Sequence, residues 1–445
     1  MFRRRVVGLL LSAILALHVL AGCVGSSSGD ATIAWTTVEP TIPPTNALDA
    51  APEGLGGATG PLPTTAADLA TPDAPAATLL SPQELVRYQP NELGMVPILE
   101  YHVITTNPAE EAQFVRTADD FRADLEWLYA NDFYVVPLSD VVNNTISAPA
   151  GKHPVALTFD DGTSSHFSYL EDKKGEIVLD EHGEPVIDPD CAVGILEAFY
   201  AEHPDFGGGA HFAPLIYNAF AYPDTEQDDL FDQKVLWMVE NGYEIGNHTW
   251  QHTDLTDISD DEFMMTIAEP QIYMTDLLGD HPGNASTILT LPYGSTPDRD
   301  LHPGQRQMMM DGFTYDGHRI ELSGALLVGA DPAPSPASTE WHKLWIPRIQ
   351  MFDESVEFWF GMIERDEIIV YTSDGNPETI AVPDPQHPAL DGTLDQEALQ
   401  ADGVSVLHYR VDDGQIVAHG AIIQGALVPP IRTGGHAMRG VTYTL

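Results

Sequence analysis

The chain has 445 residues, 43% of them hydrophobic, and sets 19 Lys and Arg against 67 Asp and Glu for a formal net charge of −48. Such acidity leaves no basic face to neutralise phosphates, so nucleic acid is excluded as a partner; the acidity reads first as serving solubility, and otherwise as favouring neutral or amine-bearing glycans over strongly anionic ones. Two cysteines are too few for a disulfide framework.

In chain order, Arg3, Arg4 and Arg5 precede an apolar stretch from Val6 to Leu20, the layout of a secretory signal peptide over residues 1–22. Its end, Leu20-Ala21-Gly22-Cys23, resembles a bacterial lipobox. That resemblance implies cleavage before Cys23, acylation of the thiol and anchoring to the outer face of the cell membrane. Cys191 is then left without an intrachain partner and reads as a small buried hydrophobe. Residues 23–94 form the next segment, rich in Ala, Thr, Pro, Ser and Gly with little periodicity. They read as a disordered tether with a reach on the order of 45 Å.

Val155 to Phe159 is apolar and β-favouring, so it predicts a buried strand that ends as the polar Asp160-Asp161-Gly162 begins. The paired carboxylates would then stand at a rim. Glu176 to Asp188 alternates on both sides of His182-Gly183 and predicts a hairpin inserted on that rim. Tyr243 to Asn247 predicts a second strand, delivering His248 and His252, which share one face if Thr249 to His252 makes a helical turn. Two neutral imidazoles and one carboxylate leave an open position on a divalent ion, where bound water has its pKa lowered to about 7. The second carboxylate is free to act as general base. Residues 404–411 and 415–418, around Asp412 to Gly414, predict a hairpin within a β-rich extension over residues 376–445.

Thr158-Phe159-Asp160-Asp161-Gly162, His248-Thr249-Trp250-Gln251-His252 and Leu291-Pro292-Tyr293-Gly294, in this order, resemble the motifs of the NodB-like polysaccharide deacetylases of carbohydrate esterase family four. The resemblance covers roughly residues 95–375. It implies an α/β fold, a distorted (β/α)7 barrel with catalytic residues at the C-terminal ends of its strands. Val96 to Tyr101 and Phe133 to Leu138 resemble two early strands of that family, separated by a helix over Phe121 to Leu128. Gly209 to Phe212, Trp345 to Ile349 and Ile368 to Tyr371 stand where it has later strands. The resemblance makes Asp160 the base and Asp161, His248 and His252 the ligands of one divalent metal, zinc before cobalt or nickel. The backbone N–H of Tyr293 would help bind the oxyanion.

Two family features are displaced. Thr290 stands where an Arg normally orients the catalytic Asp, and Arg348 is the candidate to replace it. The His that usually protonates the leaving group has no counterpart in Ile368 to Tyr371, which leaves Tyr371, His102, His318 and His342 as candidates. The function implied is hydrolytic removal of N-acetyl groups from a cell-surface or extracellular polysaccharide, with a GlcNAc-type polymer favoured, by a monomeric lipoprotein. An O-acetyl esterase and a non-catalytic, metal-containing glycan-binding lipoprotein stay open as alternatives.

Overall fold

The computed structural model describes residues 79–428 apart from 111, 218, 222–226, 228, 229, 330, 389, 391, 413, 424 and 425. The signal segment and Cys23 lie outside the described residues. The tether was expected to run to residue 94, but Pro82–Tyr88 (α1) is a helix, begun by a reciprocal Ser81–Glu84 capping box.

The next elements are β1 (Ile98–Tyr101), β2 (Val103–Thr105), β3 (Val115–Thr117), α2 (Ala118–Ala130), β4 (Phe133–Val135), α3 (Leu138–Val142) and β5 (His153–Asp161). The run from Phe133 to Leu138 is therefore a short strand that turns into a helix. Then follow α4 (Ala192–Glu202), β6 (His211–Pro214), α5 (Phe231–Glu240), β7 (Glu244–Asn247), α6 (Asp260–Leu278) and β8 (Asn284–Thr290). After them come α7 (Pro303–Asp311), β9 (Phe313–Tyr315), β10 (His318–Ile320), β11 (Gly324–Leu326), β12 (Ile349–Gln350) and α8 (Asp353–Glu364).

Seven strands pair in the order β11-β8-β7-β6-β5-β1-β12, and β4 adds to the lower part of β5. All of these pairings are parallel. Residues 346–350 join the two ends, because Ile346 bridges Leu326 while Ile349 pairs with Leu99. The sheet thus curls into a distorted α/β barrel with helices outside. β5 is buried from Pro154 to Asp160, as expected of a parallel strand covered on both faces. Its Phe159 stacks on Phe212 of β6 at 4.7 Å and packs with Tyr101 and Phe121, which ties three neighbouring units into one core.

Four expectations need correction. β5 runs through Asp160 and Asp161 instead of ending before them. Thr249 to His252 is not a helical turn: Thr249 and His252 both have positive φ, 62° and 54°. Here the Asn247 carboxamide accepts from Thr249 N–H and the Thr249 hydroxyl from Thr253 N–H, so side chains replace the helical ladder. Ile368 to Tyr371 is not a barrel strand, since Val370 bridges Met95 and Thr372 bridges Asn91 outside the ring. The insert is more than one hairpin. Two tight turns, at Asp172 and Asp180, bring Leu170, Val178 and Val186 into a closed three-way set of backbone hydrogen bonds.

The C-terminal extension forms a separate sheet. β13 (Thr379–Pro383) runs parallel to β14 (Ser405–Asp412), which pairs antiparallel with β15 (Gln415–Ile423), itself paired with β16 (Ala426–Val428). α9 (Gln396–Ala401) contributes Leu399 to one apolar cluster with Ile380, Val382 and Val406, while α1 contributes Leu85 to another with Ala381, Leu407 and Tyr409. α1 is ordered by packing on this sheet. Among the described residues no helix is long and apolar enough to cross a membrane.

Candidate active site

The C-terminal ends of β1, β5, β7 and β8 and the segment closing the ring converge on one rim. Successive side chains of a strand point to opposite faces. Asp161, with φ 74°, breaks that alternation, and both carboxylates serve neighbouring parts of one site. Asp161 Oδ1 lies 3.2 Å from His248 Nε2 and 3.6 Å from His252 Nε2. One ligand atom from each of these residues lies within 4.8 Å of the others.

His248 is buried, and its Nδ1–H donates to the Thr290 carbonyl at 2.9 Å. That bond fixes the tautomer and leaves the Nε2 lone pair facing a carboxylate. Two acceptors at 3.2 Å require a proton or a cation between them, so the donor set fits a divalent ion. The electrostatics agree: burial pushes His248 down, but Asp161 and Asp160 outweigh it and raise the net value. Burial likewise pushes Asp161 up, and His248 outweighs it to give a lowered value. His252 is lowered, first by burial and then by His248.

Asp160 is held differently. The buried Arg348 grips it with two parallel bonds, Nη1 to Oδ1 at 2.8 Å and Nη2 to Oδ2 at 2.7 Å. Arg348 is oriented in turn by the Thr158 hydroxyl at 3.0 Å and the Leu327 carbonyl at 2.8 Å. Burial alone would raise the Asp160 carboxyl, but Arg348 outweighs it and holds the group well below the usual carboxylate range. Arg348 thus gives Asp160 a guanidinium partner, while Thr290 contributes its backbone carbonyl to His248.

Of the four candidate proton donors, His102 alone lies beside Asp160, with Nε2 3.9 Å from Oδ2. Tyr371 is buried against Glu92, His318 sits exposed on the β9–β10 hairpin, and His342 packs edge-on to Trp345. Glu100 was not singled out from the sequence. It is fully buried, 3.8 Å from His102 Nε2 and 3.5 Å from Arg348 Nε, and it accepts from Gly329 N–H at 2.8 Å. An acidic residue inside the apolar run Val96 to Tyr101 was the available signal. Glu100, His102 and Asp160 also cluster closely enough to hold an ion. The Arg348 cation already lies against both of their carboxylates, 2.7 Å from Asp160 Oδ2 and 3.5 Å from Glu100 Oε2.

Tyr293 lies in a single turn after β8 with φ 58°. Its ring, 66% exposed, stands edge-on to His252 at 4.4 Å. On the opposite side of the carboxylates, the exposed Phe114 ring stands edge-on to His102 at 4.8 Å. Two exposed aromatic rings thus flank the polar cluster, Tyr293 beside His252 and Phe114 beside His102.

No curated protein sequence matches the chain. Among solved structures, a polysaccharide deacetylase from Bacillus anthracis is similar at 15% identity and TM-score 0.38, over 57% of this chain, and the chain spans 64% of that protein's length. The Streptococcus pyogenes deacetylase PplD, solved with acetate, is similar at 18% identity and TM-score 0.41, over 58% of this chain and 92% of that one. IcaB from Ammonifex degensii gives 16% identity and TM-score 0.38, over 60% and 97%. Residues 217–309 match the polysaccharide deacetylase family model. That segment contains His248, His252 and the Leu291–Gly294 turn, and it carries the chain's match to a polysaccharide deacetylase domain.

Proposed function

We propose that the protein is a metal-dependent hydrolase that removes N-acetyl groups from a cell-surface or extracellular polysaccharide. The observation that carries this reading is the buried Asp160, kept ionised by Arg348, with a His-His-Asp ligand set on one side and His102 on the other. Asp161, His248 and His252 would hold the ion, zinc before cobalt or nickel. Bound there, a divalent cation lowers the pKa of water to about 7 and polarises a carbonyl.

Asp160 takes the proton of the water that adds to the acetyl carbon. The Tyr293 N–H donates to the developing oxyanion. His102 then gives a proton to the sugar nitrogen as the C–N bond breaks, releasing acetate and a free amine. Arg348 keeps Asp160 deprotonated and aimed. The two alternatives were favoured by the displaced donor and Arg, and the His102 and Arg348 side chains beside Asp160 support the deacetylase reading over them. In the same reading the chain is a monomeric lipoprotein anchored through Cys23 outside the cell membrane, with residues 95–375 as its catalytic part.

The test is acetate release by the purified protein, stripped or loaded with zinc, cobalt or nickel, from chitooligosaccharides, peptidoglycan and acetylated xylan. Metal-dependent release from a GlcNAc polymer that Asp160→Asn abolishes is expected. Stoichiometric metal without release from any of the three overturns the hydrolase reading, and release from xylan alone converts it to an O-acetyl esterase.

A further inference from the structure

His166 is a buried titratable group with no part in the chemistry above. Its ring lies between Phe159 and Phe212, edge-on at 5.4 and 5.8 Å. A Phe would fill such a space without a polar atom. Here Nδ1 has no partner among the described residues, a cost that must be offset elsewhere. The offset is at Nε2, whose N–H donates to the backbone carbonyl of His102. Burial pushes the ring down to about 4, so it is neutral, with its one hydrogen on Nε2.

The neighbouring Ser165 holds the other side of the same segment, its hydroxyl accepting from Ile104 N–H at 3.0 Å and sharing a hydrogen bond of 2.7 Å with Thr163. Residues 165 and 166 are themselves fixed, because their carbonyls accept from Ala192 and Val193 at the start of α4. His102 lies in the gap between β1 and β2, outside either strand. We infer that His166 and Ser165 form a clamp that positions His102, locking the peptide planes on both sides of Val103 and so the direction in which the His102 side chain leaves the backbone. The four residues after Asp161-Gly162 thereby tie the donor to the strand end that carries the base. The inference rests on the reading of His102 as proton donor.

A positioning role is separable from a structural one by leaving group. An N-acetyl sugar needs a proton on its departing nitrogen, whereas 4-nitrophenolate leaves without one. The zinc-loaded protein is therefore assayed on a chitooligosaccharide and on 4-nitrophenyl acetate, with His166→Phe, His166→Gln, Ser165→Ala and His102→Gln. His166→Phe keeps the ring and removes the donor. It should lower kcat on the amide by about 10²-fold, as a misplacement of about 1 Å does, with KM and ester turnover within about twofold of the parent. His166→Gln, which restores an N–H at the same reach, should recover most of the loss. Equal losses on both substrates, or none on either, overturn the clamp. A His102→Gln protein that keeps its amide turnover overturns the donor reading and the clamp together, whereas loss in His102→Gln beside a normal His166→Phe overturns the clamp alone. If His166→Phe does not fold, Ser165→Ala is held to the same split between amide and ester, with a smaller loss.

Discussion

Arg348→Met tests whether the ion pair at the centre of the site is desolvated as it looks. The parent guanidinium is fully buried and donates twice to Asp160, once to Thr158 and once to the Leu327 carbonyl, with Glu100 3.5 Å from Nε. Methionine keeps much of the length and none of the charge, so two buried carboxylates lose their counter-charge at once. Removing one partner of a buried pair costs about 3–5 kcal/mol, and with two anions stranded the upper half of that range is expected. That is about a quarter or more of a native stability of about 5–15 kcal/mol. Urea unfolding followed by tryptophan fluorescence reads it. Asp160→Asn in the Arg348→Met background removes one stranded anion and should recover about 1–2 kcal/mol, a coupling that a double-mutant cycle isolates. Activity should follow in parallel. With Arg348 gone, burial is left to push the Asp160 carboxyl up, so the acid limb of kcat/KM moves to higher pH. An Arg348→Met protein within about 1 kcal/mol of the parent, or a double variant at the sum of the singles, would show that solvent already screens the pair.

Three further outcomes are expected. A methyl group on Gly246 would lie 2.2 Å from Nε2 of the fully buried His211, so Gly246→Ala should cost about 1–3 kcal/mol and, by shifting β7, lower zinc occupancy at His248; an unchanged unfolding midpoint refutes this. His166 sits near 4 when folded and near 6.5 when unfolded, so the unfolded chain binds the extra proton between those values. Stability should then fall by on the order of 3 kcal/mol as pH drops from about 6.5 to 4, and His166→Phe should flatten that slope; an equal slope in both proteins would rule His166 out as its source. Cys23→Ser should move the protein from the membrane pellet to the soluble fraction and abolish labelling by a fatty-acid analogue, and retention in the pellet would count against a lipid anchor.

What could be read from the sequence was local chemistry. Asp160 and Asp161 end the apolar strand β5, His248 and His252 both follow β7, and the Leu291–Gly294 turn follows β8, so apolar runs ending in polar residues marked the rim. Local conformation at the same residues was less legible. Nothing in a pattern of residue types distinguishes a helical turn after Asn247 from one built on the Asn247 and Thr249 side chains, and both bring two imidazoles to Asp161. Packing was not legible either. The eight-residue spacing of Asp172, Asp180 and Asp188 encodes repeated turns whose three-way closure depends on backbone groups of Leu170, Val178 and Val186.

The proposed proton donor was obscured for a topological reason. In a linear reading, His102 belongs to the beginning of the domain and Arg348 to its end, and a function assigned to the last strand is sought near Ile368 to Tyr371. A closed ring has no first strand. β1 is flanked by β5 on one side and by residues 349–350 on the other, so side chains at the end of β1 adjoin both the base on β5 and the guanidinium on the closing segment. The donor can therefore be supplied from β1, provided the chain after Asp161 holds it there. In the proposed clamp, the contacts of the buried His166 and of Ser165 meet that condition. By the same logic, Glu100 is buried two residues before His102 because the end of β1 presents a carboxylate to Arg348 as well as an imidazole to Asp160.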